Sequence, residues 1–215
     1  MESIPRFLSK RQPVAKGEMI FRSDQPFHGV YAVKSGSFKS YSLIDDQNEM
    51  IAGFYLPGEL LGLDAIHSKI YGYNAIALEK SSVCLMPFNH LESLGEHLRS
   101  FQEQVIKILS DQIRQDQKQT LMAGRKTAEE RLSAFLLNLT ERYARHGFTA
   151  NEFRLPMLQS DIANYLGLSM ETVSRTMRKF YKMEILSIKG KRIAILNPTC
   201  LQSISNYCFA SQPMQ

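Results

Sequence analysis

Ser169-Met-Glu-Thr-Val-Ser-Arg175 is the stretch that decides the fold, together with the ten residues before it. Gln159–Leu166 has the mixed polar and apolar pattern of a short helix, and Gly167-Leu168 follows as a turn. Ser169 is a suitable N-cap for a second helix. The apolar positions of that helix share one face: Val173, Met177 and Phe180. Two helices joined by a short glycine turn form a helix-turn-helix, whose second helix enters the major groove of DNA.

The polar residues at the start of the second helix predict which side chains read the bases. We expect base contacts from Glu171, Ser174 and Arg175, which point away from the apolar face. An arginine can donate two hydrogen bonds to O6 and N7 of guanine, and a glutamate can accept one from N4 of cytosine. Glu171 and Arg175 lie four residues apart, so they can brace one another. Glu171 alone could equally be a first-turn carboxylate that favours the helix dipole.

Positive charge is concentrated in the same region. The net charge of the chain is +5, and residues 123–215 contain 13 Lys/Arg against 7 Asp/Glu, while residues 1–122 contain 13 against 14. This asymmetry indicates a surface for nucleic acid or an anionic membrane, with a plain solvated basic face as the alternative. Beside a helix-turn-helix we favour DNA, and we expect these residues to contact its backbone: Ser169, Thr172, Arg178, Lys179, Lys189, Lys191 and Arg192.

Two further elements complete the C-terminal region. Residues 185–196 read as two short strands around Lys189-Gly190-Lys191, which predicts a basic hairpin wing. Thr127 is the expected N-cap of a helix that runs to about Ala144, with Glu130 at the capping-box position. The apolar residues on one face of this helix are expected to be buried: Leu132, Phe135, Leu136 and Leu139.

The N-terminal half has the texture of short strands. Apolar and alternating segments at about 14–21, 30–33, 37–44 and 50–56 are separated by turn residues such as Gly36 and Pro57-Gly58. The polar residues between the third and fourth segments form a loop: Asp45, Asp46, Gln47 and Asn48. Strands at this spacing predict a small antiparallel barrel or sandwich.

A long helix is predicted from 98 to 122, because apolar residues recur there at three-to-four spacing in a narrow stripe and the other faces are mostly polar. We expect it to pair with a second copy of itself, with an ordinary core-packing helix as the alternative. The expected dimer contacts are Phe101, Val105, Ile108, Leu109, Ile113 and Asp116. The predicted domains are therefore a strand-rich domain at 1–97, a dimerisation helix and hinge at 98–124, and a DNA-binding domain at 125–215.

Several classes of protein are disfavoured. No run of about 18 apolar residues exists and the N-terminus lacks the apolar core of a signal peptide, so we expect a cytoplasmic protein without a membrane partner. Cys84, Cys200 and Cys208 are far apart and include no C-x-x-C, which argues against a disulfide framework and a closed zinc site. No catalytic motif is present and the five histidines lack metal-ligand spacing, so we expect neither an enzyme nor a bound cofactor.

The sequence resembles the Crp/Fnr family of bacterial transcription regulators over essentially its whole length. The resemblance rests on Ala128-Glu-Glu-Arg-Leu132, on residues 159–175, and on Val30-Tyr-Ala-Val-Lys-Ser-Gly36. It implies an α+β fold: an N-terminal antiparallel β-roll of the cyclic-nucleotide-binding jelly-roll type, a long dimerisation helix and a C-terminal winged helix-turn-helix. It also implies a homodimer that binds double-stranded DNA and recruits RNA polymerase, more commonly as an activator than as a repressor.

Two motifs refine what the resemblance implies. Glu171-x-x-Ser174-Arg175 is similar to the Fnr branch, in which this trio reads TTGAT half-sites paired as TTGAT-N4-ATCAA. The loop from Asp45 to Asn48 lies where relatives touch polymerase, although a plain hairpin turn explains it equally well. Asp116 would lie opposite the Asp116 of the second copy across the dimer axis. Repulsion between the two carboxylates predicts a weak dimer that forms fully only on DNA.

The sequence does not identify the signal that the protein senses, because the family's effector motifs are incomplete. Cyclic-nucleotide binders have Gly-Glu-x-x-Gly-Glu and then Arg-Ser/Thr-Ala, whereas here Gly62 is followed by Leu63 and Tyr73-Asn74-Ala75 stands in the second position. Without the phosphate-binding arginine, we expect no binding of cyclic AMP.

Iron is the second signal at issue. Oxygen-sensing members hold a [4Fe–4S] cluster through three cysteines of an N-terminal arm and one in the barrel. Cys84 matches the barrel cysteine but cannot form a cluster alone, so we expect no cluster of the protein's own, unless translation starts upstream of Met1. A haem-binding or small-molecule sensor is the other alternative, and the effector is left open.

Overall fold

The computed structural model describes residues 11–45, 48–89, 103, 105–114, 117, 127–147 and 151–205. The chain divides into two compact units, residues 1–119 and 120–215. The division falls in the region that the sequence assigns to the dimerisation helix and hinge. The domain boundaries at 97/98 and 124/125 stay predictions.

The first unit contains two four-stranded antiparallel sheets. Their strands are β1 (Gln12–Val14), β2 (Met19–Phe21), β3 (Gly29–Ser35), β4 (Phe38–Leu43), β5 (Glu49–Tyr55), β6 (Leu60–Leu61), β7 (Asn74–Ala77) and β8 (Ser81–Pro87), with a short helix α1 (Ala65–Ser68) between β6 and β7. One sheet has the order β1-β8-β3-β6 and the other β2-β7-β4-β5. The predicted antiparallel β-roll is therefore confirmed.

The strand predicted at about 14–21 is wrong as a single element. The chain leaves β1 at Val14, turns, and enters the other sheet at Met19. The turn is fixed by Glu18, whose carboxylate accepts a hydrogen bond of 2.7 Å from the Ala15 N–H, and by Gly17 at φ 79°. A pattern of apolar residues shows that a segment is extended, but it does not show that the segment changes sheets.

The core between the two sheets is built around aromatic side chains. Tyr71 and Phe38 are among the largest fully buried residues, and Phe21 stacks on Tyr71 with 4.0 Å between ring centroids. Gly36, at φ 77°, connects β3 to β4 where a Cβ atom would lie 2.1 Å from the Ser81 Oγ. No other residue type fits this turn without moving β8.

The central helix is described at 103, 105–114 and 117, and these residues are helical. Val105 and Leu109 are half-buried, whereas Ile108 and Ile113 are exposed. Ile106, which the sequence analysis left out of the stripe, is also exposed. Phe101 and Asp116 lie outside the described residues, so the structure gives no account of their predicted roles.

The second unit contains α2 (Ala128–Arg145), β9 (Glu152–Arg154), α3 (Gln159–Leu166), α4 (Met170–Lys182), β10 (Leu186–Lys189), β11 (Arg192–Ile195) and α5 (Pro198–Ser205). Its sheet has the order β10-β11-β9. The predicted helix-turn-helix and hairpin wing are confirmed, while β9 and α5 were not predicted. None of the helices in the described part of the chain combines the length and apolar character needed to cross a membrane.

Candidate nucleic-acid interface

The turn between α3 and α4 is held by local backbone geometry and by one distant side chain. Gly167 ends α3 at φ 62°, and the Leu168 N–H donates to the Ala163 carbonyl at 2.9 Å. An Arg131 guanidinium nitrogen from α2 donates to the Leu166 carbonyl at 3.0 Å. A cation at the C-terminal end of a helix also stabilises the helix dipole. Arg131 therefore holds the end of α3, from which the second helix of the motif departs.

The second helix, α4, begins as predicted. The Ser169 Oγ accepts a hydrogen bond of 3.2 Å from the Thr172 N–H, which caps the helix. Val173, Met177 and Phe180 are all buried, so the predicted apolar face is confirmed. Burial of this face fixes which side of α4 is left for a partner.

Two of the three predicted base-reading residues are exposed to solvent. Glu171 and Arg175 are exposed on α4, and Ser174 between them is half-buried. Glu171 and Arg175 are spaced so that they could brace each other, but the structure shows no hydrogen bond or ion pair between these two described residues. Each side chain is therefore available to a separate acceptor or donor on a base edge.

The predicted backbone contacts fall into two groups. Arg178, Lys179, Lys189, Lys191 and Arg192 are exposed cations, whereas Ser169 and Thr172 already bond to each other at 2.9 Å between their hydroxyl oxygens. The exposed cations can approach phosphates directly. The two hydroxyl groups are part of the cap, and they meet a phosphate only at the N-terminal end of α4.

The wing brings like charges together on one face of its sheet. Lys189 lies opposite Arg192, and Arg192 lies opposite Arg154 on the third strand. Phe153 and Ile193 form the neighbouring pair and are buried, so the cationic row lies on the other face. Like charges directly opposite each other destabilise a sheet, and a polyanion on this face would relieve the repulsion.

Two of the wing cations are also held within the unit. The Lys191 Nζ donates to the Pro156 carbonyl at 3.4 Å, and the Arg192 guanidinium lies 4.0 Å from the Glu152 carboxylate. Both contacts are long, and the Arg192–Glu152 pair is also exposed to water, so it costs little to exchange for phosphate.

A groove of about 510 Å³ lies between the start of α2 and the exposed side of α4. It is lined by residues 127–129 and by Thr172, Arg175, Thr176 and Lys179. We call it the α2–α4 groove. Across it, the Lys179 Nζ donates to the Glu129 carboxylate at 2.5 Å.

Three residues of this interface were missed by the sequence analysis. They are Glu129, Arg131 and Arg154, and each acts with a partner far away in the chain: Lys179, Leu166 and Arg192, respectively. Strand alternation in Glu152-Phe153-Arg154 was the available signal for Arg154. No local pattern pointed to the other two, since their partners lie 50 and 35 residues away.

In the first unit, Tyr71 and Asn74, which lie near the family's effector motifs in the sequence, are buried. Tyr71 donates from its hydroxyl to the Gly29 carbonyl at 2.8 Å, and burial, followed by the nearby Tyr31 hydroxyl, raises the pKa of Tyr71 to about 12. Asn74 is buried and bonds at both ends of its amide, accepting from the Ser23 N–H at 3.2 Å and donating to the Tyr41 carbonyl at 3.4 Å. These side chains occupy the interior of the roll themselves.

Cys84 is buried on β8. Among the described residues, no group of three or more His, Cys, Asp and Glu side chains is arranged to hold a metal ion.

The predicted polymerase loop is described in part. The Asp45 carboxylate accepts hydrogen bonds from the Asn48 N–H at 2.8 Å and from its amide at 2.7 Å, which closes the β4–β5 hairpin. Exposed apolar residues flank this turn: Leu43, Ile44 and Met50. Asp46 and Gln47 lie outside the described residues.

Comparison with known proteins places these features in one family. The model of the cyclic nucleotide-binding domain matches residues 11–97, and that of the Crp-like helix-turn-helix domain matches residues 130–204. The chain is 41% identical to the transcriptional activator protein Anr of Pseudomonas protegens, over 95% of this chain and 84% of the relative. It is 40% identical to the fumarate and nitrate reduction regulatory protein of Yersinia pestis, over 95% and 82%.

A solved structure agrees with these sequence matches. FixK2 from Bradyrhizobium japonicum superposes with a TM-score of 0.81 at 31% identity, covering 92% of this chain and 96% of that one. The roll, the helix-turn-helix and the wing therefore occur together in a relative of known structure. The chain belongs to the Crp/Fnr family of DNA-binding transcription regulators.

Proposed function

We propose that the protein activates transcription by reading the sequence TTGAT-N4-ATCAA through Glu171, Ser174 and Arg175. The observation that carries the proposal is the division of α4 into two faces. Its apolar side is buried against the unit, while Glu171 and Arg175 stand exposed and without mutual pairing on the opposite side. Exposed cations on α4 and the wing supply the phosphate contacts on both sides of this helix.

Two copies of the chain present the two half-sites. Crp/Fnr regulators typically act as dimers, and the described part of the central helix has an apolar surface that its own chain leaves open. Ile106, Ile108 and Ile113 are 63%, 38% and 58% exposed. A second copy of the helix would remove these side chains from water, and the resulting two-fold axis would match the inverted repeat of the DNA.

The hairpin between β4 and β5 is the proposed contact with RNA polymerase. Asp45 and Asn48 are joined by two hydrogen bonds, and Leu43, Ile44 and Met50 expose apolar surface beside them. A polar turn rimmed by exposed apolar side chains is typical of a protein contact. A regulator of bacterial transcription of this kind acts in the cytoplasm, where the chromosome lies.

We also propose that the roll does not take up cyclic AMP. The position of the missing phosphate arginine is occupied by Tyr73, which is 38% exposed, and the next residue, Asn74, has an amide that is satisfied within the protein. The interior is filled by Tyr71 and Phe21. Addition of cyclic AMP should leave both the melting temperature and the DNA affinity unchanged, and a rise in either would contradict the proposal.

The DNA readout is tested by fluorescence anisotropy with three variants and two duplexes. The wild-type protein should bind TTGAT-N4-ATCAA far more tightly than a scrambled duplex. Arg175→Ala should lose about 2–6 kcal/mol of target affinity across the two half-sites, since each good base contact contributes about 1–3 kcal/mol. Equal binding of wild type to both duplexes would refute the readout.

Two controls separate base contacts from general charge. Lys182→Ala removes one cation from the last turn of α4, and it should weaken both duplexes alike. Glu171→Gln also removes one charge, so it should tighten both duplexes slightly, but in addition it should change the preference among target variants at one base position.

A further inference from the structure

Lys179, a proposed phosphate contact, already forms an ion pair within the protein. Its ammonium bonds to the Glu129 carboxylate at 2.5 Å, and both side chains are partly exposed, at 49% and 38%. Lys179 lies one helical turn after Arg175, so the two cations project toward the same side of α4. Any phosphate that approaches this part of α4 therefore meets Glu129 as well as Lys179.

Glu129 is not part of the hydrogen-bonded cap of its own helix, although as a first-turn carboxylate it also favours the helix dipole. The N-terminus of α2 is capped by Thr127, whose Oγ1 accepts from the Glu130 N–H while the Glu130 carboxylate accepts from the Thr127 N–H. This capping box leaves the neighbouring Glu129 side chain to reach across the α2–α4 groove. Its carboxylate is the single negative group among the seven residues that line the groove.

Without Glu129 the groove would be attractive to an anion. It is lined by Arg175 and Lys179 and by the first residues of the 18-residue helix α2, whose N-terminal end favours negative charge. With Glu129 in place, one of the two cations is neutralised. The ion pair is exposed enough for water and phosphate to compete with it.

We propose that Glu129 is a brake on DNA affinity: it competes with a backbone phosphate for Lys179. The proposal rests on the proposed function, because it takes Lys179 as a phosphate contact. When Lys179 turns to the DNA, Glu129 is left without its cation beside a negatively charged strand. Glu129 is therefore a positioning residue, acting on DNA through Lys179 and on all sequences alike.

The brake predicts a distinctive response to salt. In the wild type, each Lys179–phosphate contact releases counterions from DNA but leaves a carboxylate that attracts cations again. In Glu129→Gln the second effect is absent, so log Kd against log salt should become steeper, by less than the roughly 0.9 per protomer that one full phosphate contact contributes. A role confined to folding would move the melting temperature and leave this slope unchanged.

The test is a double-mutant cycle on the full-length protein, with anisotropy measured on target and scrambled duplexes over a range of salt. Glu129→Gln should tighten both duplexes by about two- to five-fold per protomer at low salt, as expected for loss of one exposed ion pair in each copy. Lys179→Gln should weaken both. In the double variant the gain from Glu129→Gln should vanish, since Lys179 is the group that Glu129 restrains.

Two further variants control for charge and for folding. Glu141→Gln removes a carboxylate of similar exposure from the same helix, one that pairs with Arg145 at 3.9 Å away from the groove, and it should leave affinity unchanged. Glu129→Asp keeps the negative charge at the N-terminus of α2 but shortens the side chain. If the contact matters, Glu129→Asp should bind DNA more tightly than wild type, with the melting temperature confirming the fold.

The outcomes separate this proposal from the proposed function. Unchanged affinity of Glu129→Gln, or a gain that persists without Lys179, would overturn the brake even if the target is still preferred over scrambled DNA. A gain on the target duplex alone would also overturn it, because Glu129 would then act on base reading. Loss of target preference in the wild type would overturn the readout, while an equal gain on both duplexes would still support the brake.

Discussion

The two units of the chain differ in whether their candidate functional side chains are exposed or buried. In the DNA-binding unit, Glu171 and Arg175 stand in solvent above a buried face of the same helix. In the β-roll, Tyr71 and Asn74 are buried in the interior. DNA is bound at an outer surface, whereas small molecules are bound in concave, largely enclosed pockets.

The difference predicts different responses to substitution. Exposed residues that meet DNA should change affinity while leaving stability within about 0.5 kcal/mol. Buried residues of the roll should change stability first. The substitutions below test this distinction between exposed residues that change DNA affinity and buried residues that change stability.

Tyr71→Ala is the substitution with the largest expected effect on stability. It removes a ring that is 1% exposed and is stacked on Phe21, and we expect a loss of about 3–5 kcal/mol, as for other large buried aromatic residues. Urea unfolding followed by tyrosine fluorescence measures the loss. Tyr73→Ala, at a residue that is 38% exposed, is the matched control and should cost far less. A loss below about 1 kcal/mol for Tyr71→Ala would mean that the roll is not organised around this residue.

Arg131→Ala should affect both stability and DNA binding, because Arg131 stabilises the second unit and also holds the end of the helix that precedes α4. It removes the hydrogen bond to the Leu166 carbonyl at the end of α3, a charged bond that contributes about 1.5–3 kcal/mol. We expect lower stability of the second unit and weaker binding of the target duplex. Arg131→Lys should restore part of both, since an ammonium can still donate to the same carbonyl. Unaltered DNA binding in a destabilised Arg131→Ala protein would show that the turn does not depend on this contact.

How far the sequence predicted each unit follows from the range of the interactions. The caps at Thr127 and Ser169 and the buried face of α4 involve residues within one or two helical turns, and all were predicted and are confirmed. The Glu129–Lys179 pair joins residues 50 positions apart, and the burial of Tyr71 depends on how two sheets close. Neither could be read from a local pattern, because each arises only when distant segments are brought together. The base-contacting roles of Glu171, Ser174 and Arg175 stay predictions.

Tyr71→Phe should remove a pH dependence that belongs to the roll. In the folded protein the pKa of Tyr71 is raised to about 12 from its ordinary value of 10.0 by burial and by Tyr31. Because the unfolded chain ionises first, the stability contributed by the neutral hydroxyl is fully present below pH 10 and is lost as the pH rises from 10 to 12. The wild type should therefore lose stability in this window, and Tyr71→Phe should lose less.

Chemical unfolding at a series of pH values measures this difference. Tyr73→Phe is the control for loss of a more exposed hydroxyl group and should follow the wild type. At neutral pH, Tyr71→Phe should cost only about 0.5–1.5 kcal/mol for the lost bond to the Gly29 carbonyl. Parallel alkaline curves for wild type and Tyr71→Phe would contradict the assignment.

Ser133→Ala has the smallest expected effect. It tests whether a buried residue of the second unit changes stability without changing DNA affinity. Ser133 is fully buried in α2, and its hydroxyl has no hydrogen-bond partner among the described residues. A buried hydroxyl without a partner carries a desolvation cost of about 1–3 kcal/mol, and alanine is also the better helix former. We expect Ser133→Ala to stabilise the second unit by about 1 kcal/mol and to leave DNA affinity unchanged, as measured by thermal unfolding and anisotropy. A loss of stability would mean that the hydroxyl is bonded after all, and a change in DNA affinity would mean that the interior of this unit also shapes its reading surface.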